Sequence, residues 1–351
     1  MAASRRLVRA FAATSVFALV FATAIVVRAD TDSDGDGVPD TIELATERSV
    51  AASVSGDEFN ISSRLVSHGL EDDFDIAYKA GAFHVRYDQE GGGSSEYDLE
   101  FRNLVEWFDT NHNGRIDDGD NVSAIPLGAA AFSGIPVVHS ETSNADGGRT
   151  FKFVIRSRMN EVTLNLTIAQ RFMRLSSTRV LTPMEAKIDV NVNHVFTQVG
   201  DSLGIEMLLA TEEQVEYGEQ SWDALHGFAM GDGGVNVTAN PPGNPATSFF
   251  SWSTSALSDG QRISVGLTNT SRGTNSYDLY FAYPLASPQT RVTIEHDPTL
   301  GVESAVYEHI VSTPPELQAD LVLYAGSLAV VALLVALTIL AVNRRRKKGE
   351  D

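Results

Sequence analysis

The strongest constraint on this chain lies near its C-terminus. Leu321–Val342 is an apolar run interrupted only by Tyr324, Gly326, Ser327 and Thr338, and Arg344-Arg345-Arg346-Lys347-Lys348 follows at once. Roughly 20 apolar residues are needed to span a bilayer core as a helix, and a basic flank stays on the cytoplasmic side. The run is too long and too sharply bounded by positive charge for a buried core helix. The sequence therefore predicts a single transmembrane helix over 321–343. A short stalk at 313–320 is stiffened by Thr313-Pro314-Pro315. The cytoplasmic tail, 344–351, is too short to form a catalytic or signalling domain.

The other end reads as an export signal. Arg5, Arg6 and Arg9 precede the apolar or small run Ala10–Val27, and Val27-Arg28-Ala29 places small residues at the positions a signal peptidase reads. Residues 1–29 are expected to be a signal peptide or, since the run reaches the lower limit for a span, an uncleaved anchor. In both cases the domain C-terminal to it is exported. The chain has no cysteine, so an exterior domain must be cross-linked by something other than a disulfide.

Charge narrows the partners. The formal net charge is −20, and the basic residues of 1–28 and 344–351 leave about −27 on the middle of the chain. Such a surface repels nucleic acid and anionic lipid and attracts cations. Of 26 Lys and Arg residues only Lys79, Lys152, Lys187, Lys347 and Lys348 are lysine. Low lysine with abundant Asp and Glu resembles the composition of salt-adapted prokaryotic proteins, haloarchaeal ones above all.

Two stretches can collect a cation. Asp109-Thr110-Asn111-His112-Asn113-Gly114-Arg115-Ile116-Asp117-Asp118-Gly119-Asp120 puts side-chain oxygens at positions 1, 3, 5, 9 and 12, with glycine at 6 and an aliphatic residue at 8. Ca²⁺ takes six to eight oxygens at about 2.3–2.6 Å, and a tightly curled loop brings alternate residues to one point. The candidate ligands are Asp109, Asn111, Asn113, the carbonyl of Arg115, Asp117 and Asp120. The earlier stretch supplies Asp32, Asp34, Asp36, the carbonyl of Val38, Asp40 and Glu43, with Pro39 at position 8. The Asp109 loop resembles an EF-hand loop, with Asn at positions 3 and 5 and the shorter Asp at 12. The Asp32 loop resembles the aspartate-rich calcium repeats of thrombospondin type 3. The resemblances imply bound Ca²⁺. The residues alone also suit an Asn/Gly/Asp hairpin turn and an acidic linker, respectively.

Between the termini the pattern is β. Residues 41–57 suit a short helix and a Ser/Gly linker. From about Ala77 the alternation is of period 2, as in Phe83, Val85 and Tyr87 against His84 and Arg86. Further strands are expected at Thr150–Arg156, Val162–Ile168, Ala186–Val195, Gly204–Leu209, Val235–Thr238, Ser248–Trp252, Ile263–Leu267, Tyr277–Tyr283 and Val292–Glu295. Gly/Pro turns separate them, which predicts a mainly β fold. Its body is one large antiparallel β-sandwich ectodomain over 59–312, preceded by a calcium loop and linker at 30–58. Phe101, Leu104, Val105 and Phe108 fit helical spacing instead, but Val122–Leu127 is strand-like. The Asp109 loop is therefore expected within a sheet rather than between helices.

Chemistry-bearing motifs are sparse. There is no nucleophile elbow, phosphate loop or dinucleotide fingerprint, and no two of the eight histidines have metal-ligand spacing. Glu295-His296-Asp297 is the densest polar triplet; it suits an acid/base pair or a solvated strand exit. Phe249, Phe250 and Trp252 suit core packing better than a ligand platform, as do Trp107 and Trp222. Asn60, Asn121, Asn165, Asn236 and Asn269 head N-x-S/T acceptor sequons. Together these features resemble archaeal single-span surface proteins. They lead to the expectation of a calcium-binding adhesion or recognition ectodomain that takes a surface protein or glycan as ligand. A tethered hydrolase and a structural envelope component are the alternatives.

Overall fold

The computed structural model describes residues 47–307, apart from 68, 145–146, 177–178, 199–200, 219–232, 240–245, 274 and 288. The expected signal, the Asp32–Glu43 loop, Trp222, the stalk, the transmembrane run and the basic tail lie outside the described residues. Among the described residues no helix is long and apolar enough to cross a membrane.

The described residues begin with an antiparallel meander of β1 (Glu47–Ser55), β2 (Glu58–Ser67), β3 (Leu70–Lys79), β4 (Ala82–Gln89) and the long β5 (Gly93–Phe108). β6 (Asn121–Pro126) folds back on β5, and one helical turn, α1 (Gly128–Phe132), leads to β7 (Val138–Ser143), β8 (Arg149–Arg156) and β9 (Val162–Ala169). A ribbon of β10 (Met173–Ser176) and β11 (Arg179–Leu181) precedes β12 (Glu185–Val195). Next come β13 (Ser202–Ala210), β14 (Gln214–Gly218), β15 (Gly233–Thr238), β16 (Thr247–Trp252), β17 (Ser255–Ser258) and β18 (Gln261–Ser264). The described chain closes with β19 (Gly266–Gly273), β20 (Ser276–Tyr283), β21 (Arg291–His296) and β22 (Thr299–Val302).

Apart from the β10–β11 ribbon, these strands make two antiparallel sheets in a sandwich-like arrangement. The first runs β1-β2-β3-β4-β5-β13-β20-β19, with β6 also on β5; the second runs β14-β15-β16-β22-β12-β21-β17-β18, with β9, β8 and β7 added beyond β12. Alternation puts every second side chain between the sheets. Phe59, Phe83, Tyr97 and Phe281 of the first sheet join Phe153, Ile188, Phe250 and Ile294 of the second in one buried core. Phe249, Phe250 and Trp252 are all buried, so the aromatic run is core and not a ligand platform.

Two expectations are corrected. Glu47–Ser55 is a strand rather than a helix and linker: its Ser/Ala composition carries little hydrophobic signal, and a complete ladder with β2 holds it. Ile263–Leu267 is not one strand but the end of β18 and the start of β19, which belong to different sheets.

β5 decides where the acidic loop sits. Its register against β13 shifts between the pairs Glu206↔Asn103 and Met207↔Phe101, leaving Arg102 as an extra residue. Such a bulge reverses which side chains face inward. Before it Tyr97, Leu99 and Phe101 point into the core; after it Leu104 does so, while Val105 and Trp107 join a separate buried cluster with Ile116 and Ala282. The helical spacing in the sequence is the signature of this bulge.

Candidate metal centre

Asp109–Asp120 is the whole connection of the β5–β6 hairpin, since Phe108 pairs with Asn121. It is thus a twelve-residue loop between two strands, as the strand-like pattern after it predicts.

The loop is closed by its own polar side chains. Asp109 Oδ1 accepts the Asn113 N–H at 3.1 Å and its Oδ2 accepts the Gly114 N–H at 2.9 Å. Asn111 Oδ1 accepts the Asn113 N–H at 3.1 Å, and Asn113 Oδ1 accepts the Arg115 N–H at 2.7 Å. At the far end Asp120 Oδ1 accepts the Thr110 N–H and Oδ2 the Asp117 N–H, each at 3.0 Å. The Asn111 and Asn113 amides both donate to Asp117 Oδ2, at 2.9 and 2.7 Å. Those donors, with the Gly119 N–H, hold the Asp117 carboxyl below the usual carboxylate range; the Asn111 bond contributes most. His112 and Gly114 take left-handed backbone at φ 57° and 72°, which lets the loop curl.

The side chains of Asp109, Asn111, Asn113, Asp117 and Asp120 are therefore hydrogen-bonded within one curl. Its oxygen-rich donors suit a hard cation such as Ca²⁺. Among the described residues no group of three or more His, Asp or Glu side chains could hold a metal ion by itself. An ion here would need the Asn111 and Asn113 carbonyl oxygens and the Arg115 carbonyl as well. The two amides that now face Asp117 with their NH₂ groups would have to rotate to present oxygen.

What the sequence analysis missed is the seat beneath the loop. Val105, Gly204, Ala282 and Gly266 are cross-strand partners in one row over β5, β13, β20 and β19. The loop lies on this row. A Cβ on Gly266 would come within 1.9 Å of the Gly114 carbonyl oxygen, and one on Gly204 within 2.5 Å of Ile116 Cδ1. Ile116, at loop position 8, is 5 % exposed and packs with Val105, Trp107 and Ala282. Trp107 Nε1 donates to the Leu203 carbonyl at 3.0 Å, which fixes the floor of the seat. A glycine within or opening a strand marks close approach of another backbone, and Gly204 and Gly266 carried that signal.

On the inner side of the same strand Glu106 faces the second sheet. His194 Nε2 lies 2.7 Å from Glu106 Oε1, and the Thr197 N–H donates to the same oxygen at 2.9 Å; both Glu106 and His194 are buried. Burial pushes the Glu106 carboxyl up, but the Thr197 and His194 bonds outweigh it and hold the group below its ordinary value. The loop-bearing strand is thereby tied to β12.

Other predicted positions separate. Alternation along β21 exposes Glu295 and buries His296, which contacts the Tyr283 hydroxyl at 3.0 Å and the Ser253 carbonyl at 2.7 Å. With Nε2–H donating to that carbonyl, Nδ1 accepts from Tyr283, and burial keeps the ring's pKa below its ordinary value. Asp297 pairs with Lys187 at 3.2 Å. The triplet does not converge. Among the sequons Asn60, Asn121 and Asn269 are exposed and Asn165 is half-buried on β9. Asn236 is 7 % exposed and its amide donates to Glu303 at 2.8 Å.

No family model matches the chain, and none of the curated proteins compared with it matches either.

Proposed function

We propose that this protein is a calcium-binding, membrane-anchored surface protein whose β-sandwich ectodomain recognises a surface protein or glycan, with Ca²⁺ acting as a structural staple. One observation carries the reading: a twelve-residue loop with calcium-ligand spacing is closed and seated on a four-strand row in which three positions are glycine or alanine. Asp109, Asn111, Asn113, Asp117 and Asp120, with the Arg115 carbonyl, would hold the ion. It would supply positive charge among three carboxylates that otherwise repel one another. Because Ile116 fastens the loop to β5, β13 and β20, tightening the loop would stabilise the sheet rather than the loop alone. A cysteine-free exterior domain gains in this way what a disulfide gives elsewhere. The short Asp120 ligand suits affinities of about 10⁻⁴–10⁻³ M, sufficient outside the cell. The anchor rests on Leu321–Val342 with its basic flank, and export on residues 1–29.

The test is thermal unfolding of the purified protein with Ca²⁺ or with EDTA at low salt. A hundredfold excess of Ca²⁺ over the dissociation constant should add about 2.7 kcal/mol. An unchanged melting temperature would sink the proposal. Mg²⁺ in place of Ca²⁺ should give a smaller shift, because it demands near-ideal octahedral geometry and sheds water reluctantly.

A further inference from the structure

We propose that Asn113–Gly114 is a deamidation site whose rate is governed by closure of the loop that contains it. It is the one Asn-Gly step in the chain. Asn113 is exposed, and glycine on its C-terminal side leaves the neighbouring amide unhindered. The Gly114 nitrogen attacks Asn113 Cγ and the Cγ–Nδ2 bond breaks. Ammonia leaves with the former Gly114 amide proton. Water then opens the resulting succinimide at either carbonyl, giving aspartate or isoaspartate at position 113.

The closed loop opposes the first step at three atoms. The Gly114 N–H is committed to Asp109 Oδ2 at 2.9 Å. Asn113 Oδ1 is held by the Arg115 N–H at 2.7 Å, and its Nδ2 by Asp117 Oδ2 at 2.7 Å. Ring closure must break the first bond and rotate the side chain out of the other two. Either product then acts on the seat. Isoaspartate lengthens the backbone by one methylene directly before Gly114, whose carbonyl is packed against Gly266. Aspartate adds a fourth carboxylate beside Asp109, Asp117 and Asp120. Deamidation therefore records, irreversibly, how often the loop has opened. The effect of the ion on this rate rests on the calcium reading; the hydrogen-bond protection does not.

The experiment incubates the purified full chain at mildly alkaline pH and follows the tryptic peptide Asn103–Arg115 by mass spectrometry. Fragmentation assigns the change to residue 113, and chromatography separates isoaspartate. The native chain should react far more slowly than the same chain unfolded in urea. Asp109→Ala removes the acceptor of both the Asn113 and Gly114 N–H groups and should speed the native reaction roughly tenfold or more, the factor expected for freeing the attacking nitrogen from a charged acceptor. Asp120→Ala leaves the Asp109 bond in place and should give a smaller rise. Equal rates in native and unfolded chain, or an Asp109→Ala rate equal to wild type, would overturn the proposal. If Ca²⁺ and EDTA give the same rate while Asp109→Ala still accelerates it, the calcium reading fails and this one stands. If Ca²⁺ raises the melting temperature but Asp109→Ala leaves the rate unchanged, the reverse holds.

Discussion

The outer face of the first sheet is treated in two ways. Over β2, β3 and β4 it is open to water and carries mixed charge. Arg64 lies opposite Asp73, which lies opposite Asp88, and the next row runs Asp75, Arg86, Glu96. Arg86 pairs with Asp88 at 2.9 Å and Lys79 with Glu58 at 2.6 Å, all on partly exposed side chains. Over β5, β13, β20 and β19 the same face reads Val105, Gly204, Ala282, Gly266 and is roofed by the Asp109 loop. On the outer face the first half carries only interactions that water and salt weaken. The second is held by packing, and packing tolerates no added volume. Both halves pack on the second sheet through their inner face; on the outer face a second layer is added only where distant strands β5, β13 and β20 must be kept together.

Substitutions should divide along that line. Gly266→Ala forces a methyl group into the Gly114 carbonyl, which belongs to backbone and cannot swing aside. It should cost about 3 kcal/mol or more and abolish the calcium response. Urea midpoints within experimental error of wild type would show that the loop is not seated there. Ile116→Ala should come next, at about 2–4 kcal/mol for a buried aliphatic side chain reduced to a methyl. Differential scanning calorimetry would check it, and a loss no greater than that of an exposed substitution would refute the plug.

Two carboxylates provide a test by pH. Asp72 sits on the inner side of β3, fully buried. It accepts from Tyr87 Oη at 3.0 Å, from the Val306 N–H at 3.0 Å and from the Ser304 hydroxyl. Burial outweighs these bonds and raises its pKa. Its proton-linked stabilisation is therefore complete below the unfolded value, about 3.9, and is lost as pH rises through the folded one. Asp117 is lowered, so its contribution is present above the unfolded value and is lost as pH falls through the folded one. The destabilisation by Asp72→Asn should shrink with rising pH, while that by Asp117→Asn should grow. Parallel stability curves for the two variants across the acid range would contradict both assignments. The smallest effect belongs to the charged rows: Arg86→Ala should cost under about 1 kcal/mol and become negligible in high salt. A salt-insensitive loss of about 2 kcal/mol or more would mean that the open half is not held as described.

Much of the fold was legible because strand alternation is a local property. Val162–Ile168 and Tyr277–Tyr283 lie within observed strands whose inward residues could be read directly. β1 was illegible because Ser and Ala carry no hydrophobic alternation, and its place is set by the ladder to β2. The Arg102 bulge was visible only as an apparent helical spacing. Its meaning requires β13, which lies about a hundred residues away in sequence and supplies the register that shifts. Glu295, His296 and Asp297 looked like a cluster because they are adjacent in sequence, but period 2 sends their side chains to different places.

For the acidic loop the sequence alone determined the oxygen donors, their spacing and the glycine that lets the turn close. These depend on residues within one turn of chain. Only the tertiary structure decided that the loop lies folded on a sheet. The row that receives it is assembled from positions 105, 204, 282 and 266, brought together by strand pairing. A donor set can be written in twelve consecutive residues; the space to seat it is made by side chains left small on three separate strands.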